Sequence, residues 1–101
     1  MELKITKATE SHSRYFKKEV LETGVGYVVS DVNSVVGMFS FLLNQQQATI
    51  DFPYCVNKKA IELAFNEFLK DYPHISEIKA LTRQNLYFLG FNNKIYRRYV
   101  Y

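Results

Sequence analysis

The chain has 101 residues, 48% of them hydrophobic and 23% charged, with a formal net charge of +3. That length supports one hydrophobic core, so a single domain over residues 1–101 is expected. The apolar content excludes a disordered chain, and so mild a basic excess does not by itself identify an anionic partner.

Leu3 and Ile5 alternate with Lys4 and Thr6, the pattern of a short first strand. Thr9 offers a helix cap, and Tyr15, Phe16, Val20 and Leu21 form the apolar face of a helix that ends before Gly24. Gly26–Ser30 and Val35–Leu43 are β-rich runs joined by Asp31-Val32-Asn33-Ser34, which suits a hairpin turn. The second run is apolar on both faces and belongs in the middle of a covered sheet. It reaches about half of the roughly 20 residues that a membrane helix needs.

After three glutamines, Ala48–Val56 alternates Ile50, Phe52, Tyr54 and Val56 with Thr49, Asp51, Pro53 and Cys55, a third consecutive strand. Pro53 has no N–H for the ladder, which predicts a bulge or the end of regular pairing there. Asn57 caps the next helix, in which Ile61, Ala64, Phe65, Phe68 and Tyr72 recur at helical spacing while Glu62, Asn66 and Lys70 face water. Pro73 terminates it, Ile75–Thr82 forms a strand, and Tyr87–Phe91 leads through Asn92 and Asn93 into a last strand, Lys94–Tyr101. The predicted class is α/β (α+β), with a mixed, mostly antiparallel central sheet, helices packed on it, and the order β-α-β-β-β-α-β-β.

That order resembles the GNAT superfamily of N-acetyltransferases, and four segments carry the resemblance. Ile5-Thr6-Lys7-Ala8-Thr9-Glu10 is similar to the family's first strand and helix cap. Val35-Val36-Gly37-Met38-Phe39-Ser40-Phe41 is similar to its third strand, where a hydrophobic pair precedes a glycine. Asp51-Phe52-Pro53 resembles the V-x-P end of the fourth strand, and Leu86-Tyr87-Phe88-Leu89-Gly90-Phe91 resembles the late Tyr-x-x-x-Gly-Phe signature.

The resemblance implies acetyl-CoA as cofactor, held at the turn from the fourth strand into its helix by backbone N–H groups and the helix N-terminus. It places that turn on Asn57, Lys58, Lys59, Ala60 and Ile61. The family's Q/R-x-x-G-x-G/A glycines fall there on Lys59 and Ile61, or in the alternative register Asn57-x-x-Ala60-x-Glu62 on Ala60 and Glu62; neither register has a glycine. Lys58 and Lys59 supply positive charge in their place. The catalytic tyrosine position falls on Leu86 with Tyr87 one place later, so Tyr87 is the candidate general acid and Asp51 the candidate base.

Two other classes stay open. The chain could be a non-catalytic GNAT-shaped module that binds a protein partner or forms a homodimer, with the Tyr-rich final strand adding to another sheet. Gly37-Met38-Phe39-Ser40-Phe41 is also similar to the aromatic strand of an RRM, and Lys94, Arg97 and Arg98 are interleaved with Tyr96, Tyr99 and Tyr101, a pattern that single-stranded nucleic acid accepts. The three strands between the helices weigh against RNA, and charged edge strands also guard against aggregation. His12 and His74 have no metal-ligand spacing, so no metal is expected. Cys55 is alone, cannot form an internal disulfide, and reads as a structural thiol. With no apolar segment behind a basic start, a cytoplasmic location without membrane attachment is expected.

Overall fold

The structure, a computed structural model, describes residues 2–12, 14–23, 25–55, 58–81 and 85–98. Six strands form one sheet in the order β1 (Lys4–Lys7), β2 (Val25–Ser30), β3 (Val35–Asn44), β4 (Gln47–Cys55), β5 (Glu77–Ala80) and β6 (Ile95–Arg97). Neighbours are antiparallel except β4 and β5, which are parallel and joined through the helix α2, Lys58–Asp71. The parallel pair follows from the connection, since a crossover helix returns the chain to the same end of the sheet. The expected three consecutive strands before the long helix are adjacent, as are their neighbours on either side.

Strand alternation divides the chain into two apolar layers. Tyr27 and Val29 of β2, Phe39 and Phe41 of β3, and Ala48 and Ile50 of β4 face α2, which returns Ala60, Ile61, Ala64, Phe65 and Phe68. The rings of Phe41 and Phe68 stack with centroids 3.9 Å apart, and Tyr27 meets Phe41 edge-on at 5.9 Å. On the other face Val28, Met38 and Leu42 meet Phe16 and Val20 of the first helical region. β3 is thus covered on both sides, as its sequence predicts.

The hairpin between β2 and β3 is held by Asp31. Its carboxylate accepts the N–H groups of Asn33 and Ser34, each at 2.8 Å. These bonds hold the Asp31 carboxyl below its usual range. Pairing across β3 and β4 shifts between Ser40↔Asp51 and Met38↔Tyr54, so the extra residue lies on β4 where Pro53 stands.

Several boundaries differ from the sequence reading. The first helix is a 3-10 turn, Glu10–His12, followed by a short α1, Lys18–Thr23. Nδ1 of His12 accepts the Thr9 N–H at 3.0 Å and the Thr9 hydroxyl lies 2.7 Å from Ser11 Oγ, local bonds that compete with a helical start. Tyr15 therefore stands outside the helix and is 50% exposed instead of lying on its apolar face. β5 and β6 are shorter than expected, because Ile75 closes the turn after α2 by donating its N–H to the Tyr72 carbonyl, and Arg98 turns to cap that helix. Gly24, Val56, Asn57, Thr82, Tyr99 and Tyr101 lie outside the described residues.

Candidate functional site

The parallel ladder between β4 and β5 runs from Gln47↔Glu77 to Ile50↔Ala80 and closes with the Leu81 N–H on the Ile50 carbonyl at 3.0 Å. β5 ends at Ala80, whereas β4 continues through Asp51 and the bulge to Cys55, paired on its β3 side. Among the described residues the ladder between the two strands ends at Ile50 and Leu81, and β4 runs on past it.

The first turn of α2 follows the end of β4. Lys58 and Lys59 are exposed there and the turn contains no acidic side chain, so helix dipole and side-chain charge are both positive. Ala60 is fully buried and Ile61 is 3% exposed. Both side chains at these two expected cofactor positions are directed into the core, so neither obstructs the outer face of the turn. The reason lies across the core on β3: a β-carbon on Gly37 would come within 3.3 Å of Ala60 Cβ, so a glycine and an alanine let helix and sheet approach closely. Of the other two positions, Lys59 is exposed and so is the Glu62 carboxylate, one turn further along. Asn57 is outside the described residues.

The 3-10 turn Tyr87–Leu89 lies against the same helix end. Nζ of Lys58 sits 5.3 Å from the centroid of the Phe88 ring. Leu86, at the family's tyrosine position, is 2% exposed and part of the core, while Tyr87 is 62% exposed and its N–H is taken by Asn85 Oδ1 at 2.9 Å. Gly90 has φ 102°, a left-handed conformation in which its N–H returns to the Tyr87 carbonyl. Phe91 is then turned inward against Phe65, with centroids 5.5 Å apart. The Gly90-Phe91 pair therefore closes the turn and anchors it to α2.

Asp51 lies on the opposite face of the sheet from Ile50, opposite Ser40 in register. With Tyr15, Phe16, Lys17, Val20 and Ser40 it lines a cavity of about 110 Å³ on the α1 side. Lys58, Lys59, Ala60 and Ile61 thus form the first turn of α2, Asp51 is the first residue of β4 beyond its ladder with β5, and Tyr87 begins the turn whose Phe88 ring lies by Lys58.

Sequence reasoning missed two residues. Phe88 was named only as part of the Leu86–Phe91 segment, yet it is 43% exposed with the Lys58 ammonium over its ring. Arg98 read as one of several basic edge residues, yet its guanidinium donates to the carbonyls of Ile75 at 2.7 Å, Leu69 at 3.1 Å and Tyr72. Nothing in local sequence distinguishes Arg98 from Arg97, whose Nε pairs with Glu77 at 3.3 Å on the surface. Among the described residues no group of three or more His, Cys, Asp or Glu could hold a metal, and no helix is long and apolar enough to cross a membrane.

No protein-family model matches the chain, and no curated protein matches it. Solved structures do. An acetyltransferase from Bacillus subtilis in complex with CoA aligns with a TM-score of 0.59 and 18% identity, over 87% of this chain and 71% of that one. An IAA acetyltransferase from Bacillus cereus aligns with a TM-score of 0.57 and 16% identity over the same shares. At such identity the likeness concerns the fold, and the fold is GNAT-like.

Proposed function

We propose, from the GNAT-like fold and the cationic first turn of α2 that follows β4, that the chain is an acetyl-CoA-dependent N-acetyltransferase with a glycine-free cofactor turn. The observation that carries the reading is the first turn of α2, which follows β4 with Lys58 and Lys59 exposed and no acidic side chain. A cofactor of this class supplies an activated acyl thioester. The chain would hold its phosphates with the first-turn N–H groups of α2 and the ammonium groups of Lys58 and Lys59. The inward course of Ala60 and Ile61 leaves that face open, which is the fit that missing glycines put in question. Backbone N–H groups of β4 beyond Ile50 would stabilise a developing oxyanion. The Asp51 carboxylate would take a proton from the acceptor nitrogen, and the Tyr87 hydroxyl would deliver one to the leaving group.

Calorimetry and thermal shift with acetyl-CoA test the reading. A ligand at about a thousand times its dissociation constant stabilises by roughly 4 kcal/mol. Reversing the charge of both Lys58 and Lys59 to Glu should abolish that shift, and an unmoved transition of the native chain at millimolar acetyl-CoA overturns the proposal. Exposed Leu81, Tyr87 and Phe88 favour a second reading, a non-catalytic module that binds a protein partner or a second copy of itself. Its test is light scattering: a concentration-independent monomer that turns over substrate excludes it.

A further inference from the structure

We infer that the open cavity along the outer edge of β6 is a binding site for a small carboxylate with a short apolar body, which Arg97 receives. The cavity measures about 520 Å³ and is lined by Gly90, Asn92, Asn93, Ile95 and Arg97. That volume falls within the range of about 300–1,000 Å³ usual for small-molecule sites. Its form follows from the ladder at the sheet edge. The Arg98 N–H bonds the Ser76 carbonyl and the Ala80 N–H bonds the Lys94 carbonyl, so the main-chain groups of Ile95 and Arg97, which alternate with these, are directed away from β5. Ile95 exchanges both of its groups with Asn92 across the turn, at 2.9 and 3.2 Å. The N–H of Arg97 is left at the edge of the sheet.

Side chains complete the lining. Tyr96 packs against Phe65 on the α2 face, with ring centroids 5.0 Å apart, which turns Ile95 and Arg97 to the other face. Glu77 takes Nε of Arg97 at 3.3 Å. The terminal nitrogens, whose fork of donors matches a carboxylate, are outside that contact. Charge favours an anion as well. Lys79 stands on the same face of β5, beside Ile95, and Arg98 shares the adjoining cavity with Arg97 while donating to carbonyls, which leaves its charge uncompensated. These cations outnumber the Glu77 carboxylate. The exposed carboxamides of Asn92 and Asn93 can donate to a second carboxylate oxygen, and half-buried Ile95 supplies an apolar wall. Neither Asp51 nor any residue of the first turn of α2 lines this cavity, so the inference stands apart from the function proposed above.

Amide chemical shifts of the ¹⁵N-labelled chain, titrated separately with isovalerate, isovaleramide and isoamylamine, test the inference, since the three share a branched apolar body and differ in charge. Isovalerate should shift the amides of residues 90, 92, 93, 95 and 97 saturably at millimolar concentration, and the other two should not. Arg97→Gln should weaken isovalerate about tenfold or more, the usual consequence of losing a charged hydrogen-bond partner. Asn93 has φ 61°, so Asn93→Gly keeps the turn while removing a carboxamide. It should weaken isovalerate severalfold, and it serves if Arg97→Gln unfolds the edge. A response to inorganic phosphate as strong as that to isovalerate would mean a general attraction of anions and overturns the carboxylate site. So does an equal response to the amide or the amine, an unchanged spectrum at tens of millimolar isovalerate, or binding that survives both substitutions.

Discussion

A β-carbon added at Gly37 would lie 2.6 Å from Cε2 of Phe39, 2.7 Å from its Cζ and 3.3 Å from Ala60 Cβ. Phe39 is fully buried and cannot swing aside. Gly37→Ala should therefore cost about 1–3 kcal/mol by overpacking, read as a lower midpoint in urea unfolding. Ligand affinity at the start of α2 should fall too, because Ala60 is the part of the helix that would be pushed outward. Tyr87 gives the opposite expectation. Its ring is 62% exposed, so Tyr87→Phe should leave stability within about 0.5 kcal/mol of the native value. If its hydroxyl is the proton donor, the same substitution should lower kcat for acyl transfer about a hundredfold with little change in the KM for acetyl-CoA. Equal kcat in the two proteins would remove Tyr87 from the mechanism.

At the scale of elements, β5 is held by short ladders on both sides, four residue pairs to β4 and three to β6. Arg98 compensates from the far side of β5. It ties the carbonyls that end α2 to the chain that leaves β6, while its own N–H bonds the Ser76 carbonyl at 2.9 Å. Arg98→Ala removes a charged donor from several carbonyls at once and should cost about 2 kcal/mol. For a domain of this size that lowers the thermal midpoint by roughly 8 to 16 °C. Hydrogen exchange should accelerate first in α2's last turn, β5 and β6, and a uniform acceleration would mean that Arg98 is no local clasp.

Across the described residues, two groups contribute a pH response at opposite ends of the range. Burial, reinforced by the Asp71 carboxylate that accepts its hydrogen bond at 3.0 Å, pushes the Tyr27 phenol far above its ordinary 10.0. The folded chain keeps that proton where the unfolded chain releases it. Stability from Tyr27 is thus whole below about pH 10 and declines as pH rises beyond it. Asp31 works in the other direction: its depressed carboxyl contributes above the usual carboxylate range and loses its effect as pH falls through the folded value. Tyr27→Phe should flatten the alkaline decline measured by chemical unfolding from pH 9 upward. A decline as steep as the native one would place its origin elsewhere.

The sequence by itself determined the order of the elements, the two-faced burial of β3, the amphipathic α2 and the bulge near Pro53. Each depends on periodicity or on one residue's covalent limits, and both are local. Gly90-Phe91 was legible only through its resemblance to the family's late signature, and the left-handed φ of Gly90 and the inward Phe91 came from the structure. What only the tertiary structure decided is which side of each element meets which neighbour. The burial of Ala60 and Ile61, the ammonium of Lys58 over Phe88, Arg98 at the end of α2, and Ser40 with Asp51 beneath Phe16 all join residues distant in sequence. Their positions follow from strand register and helix docking, which are set by the packing of the entire core and leave no trace in a local pattern.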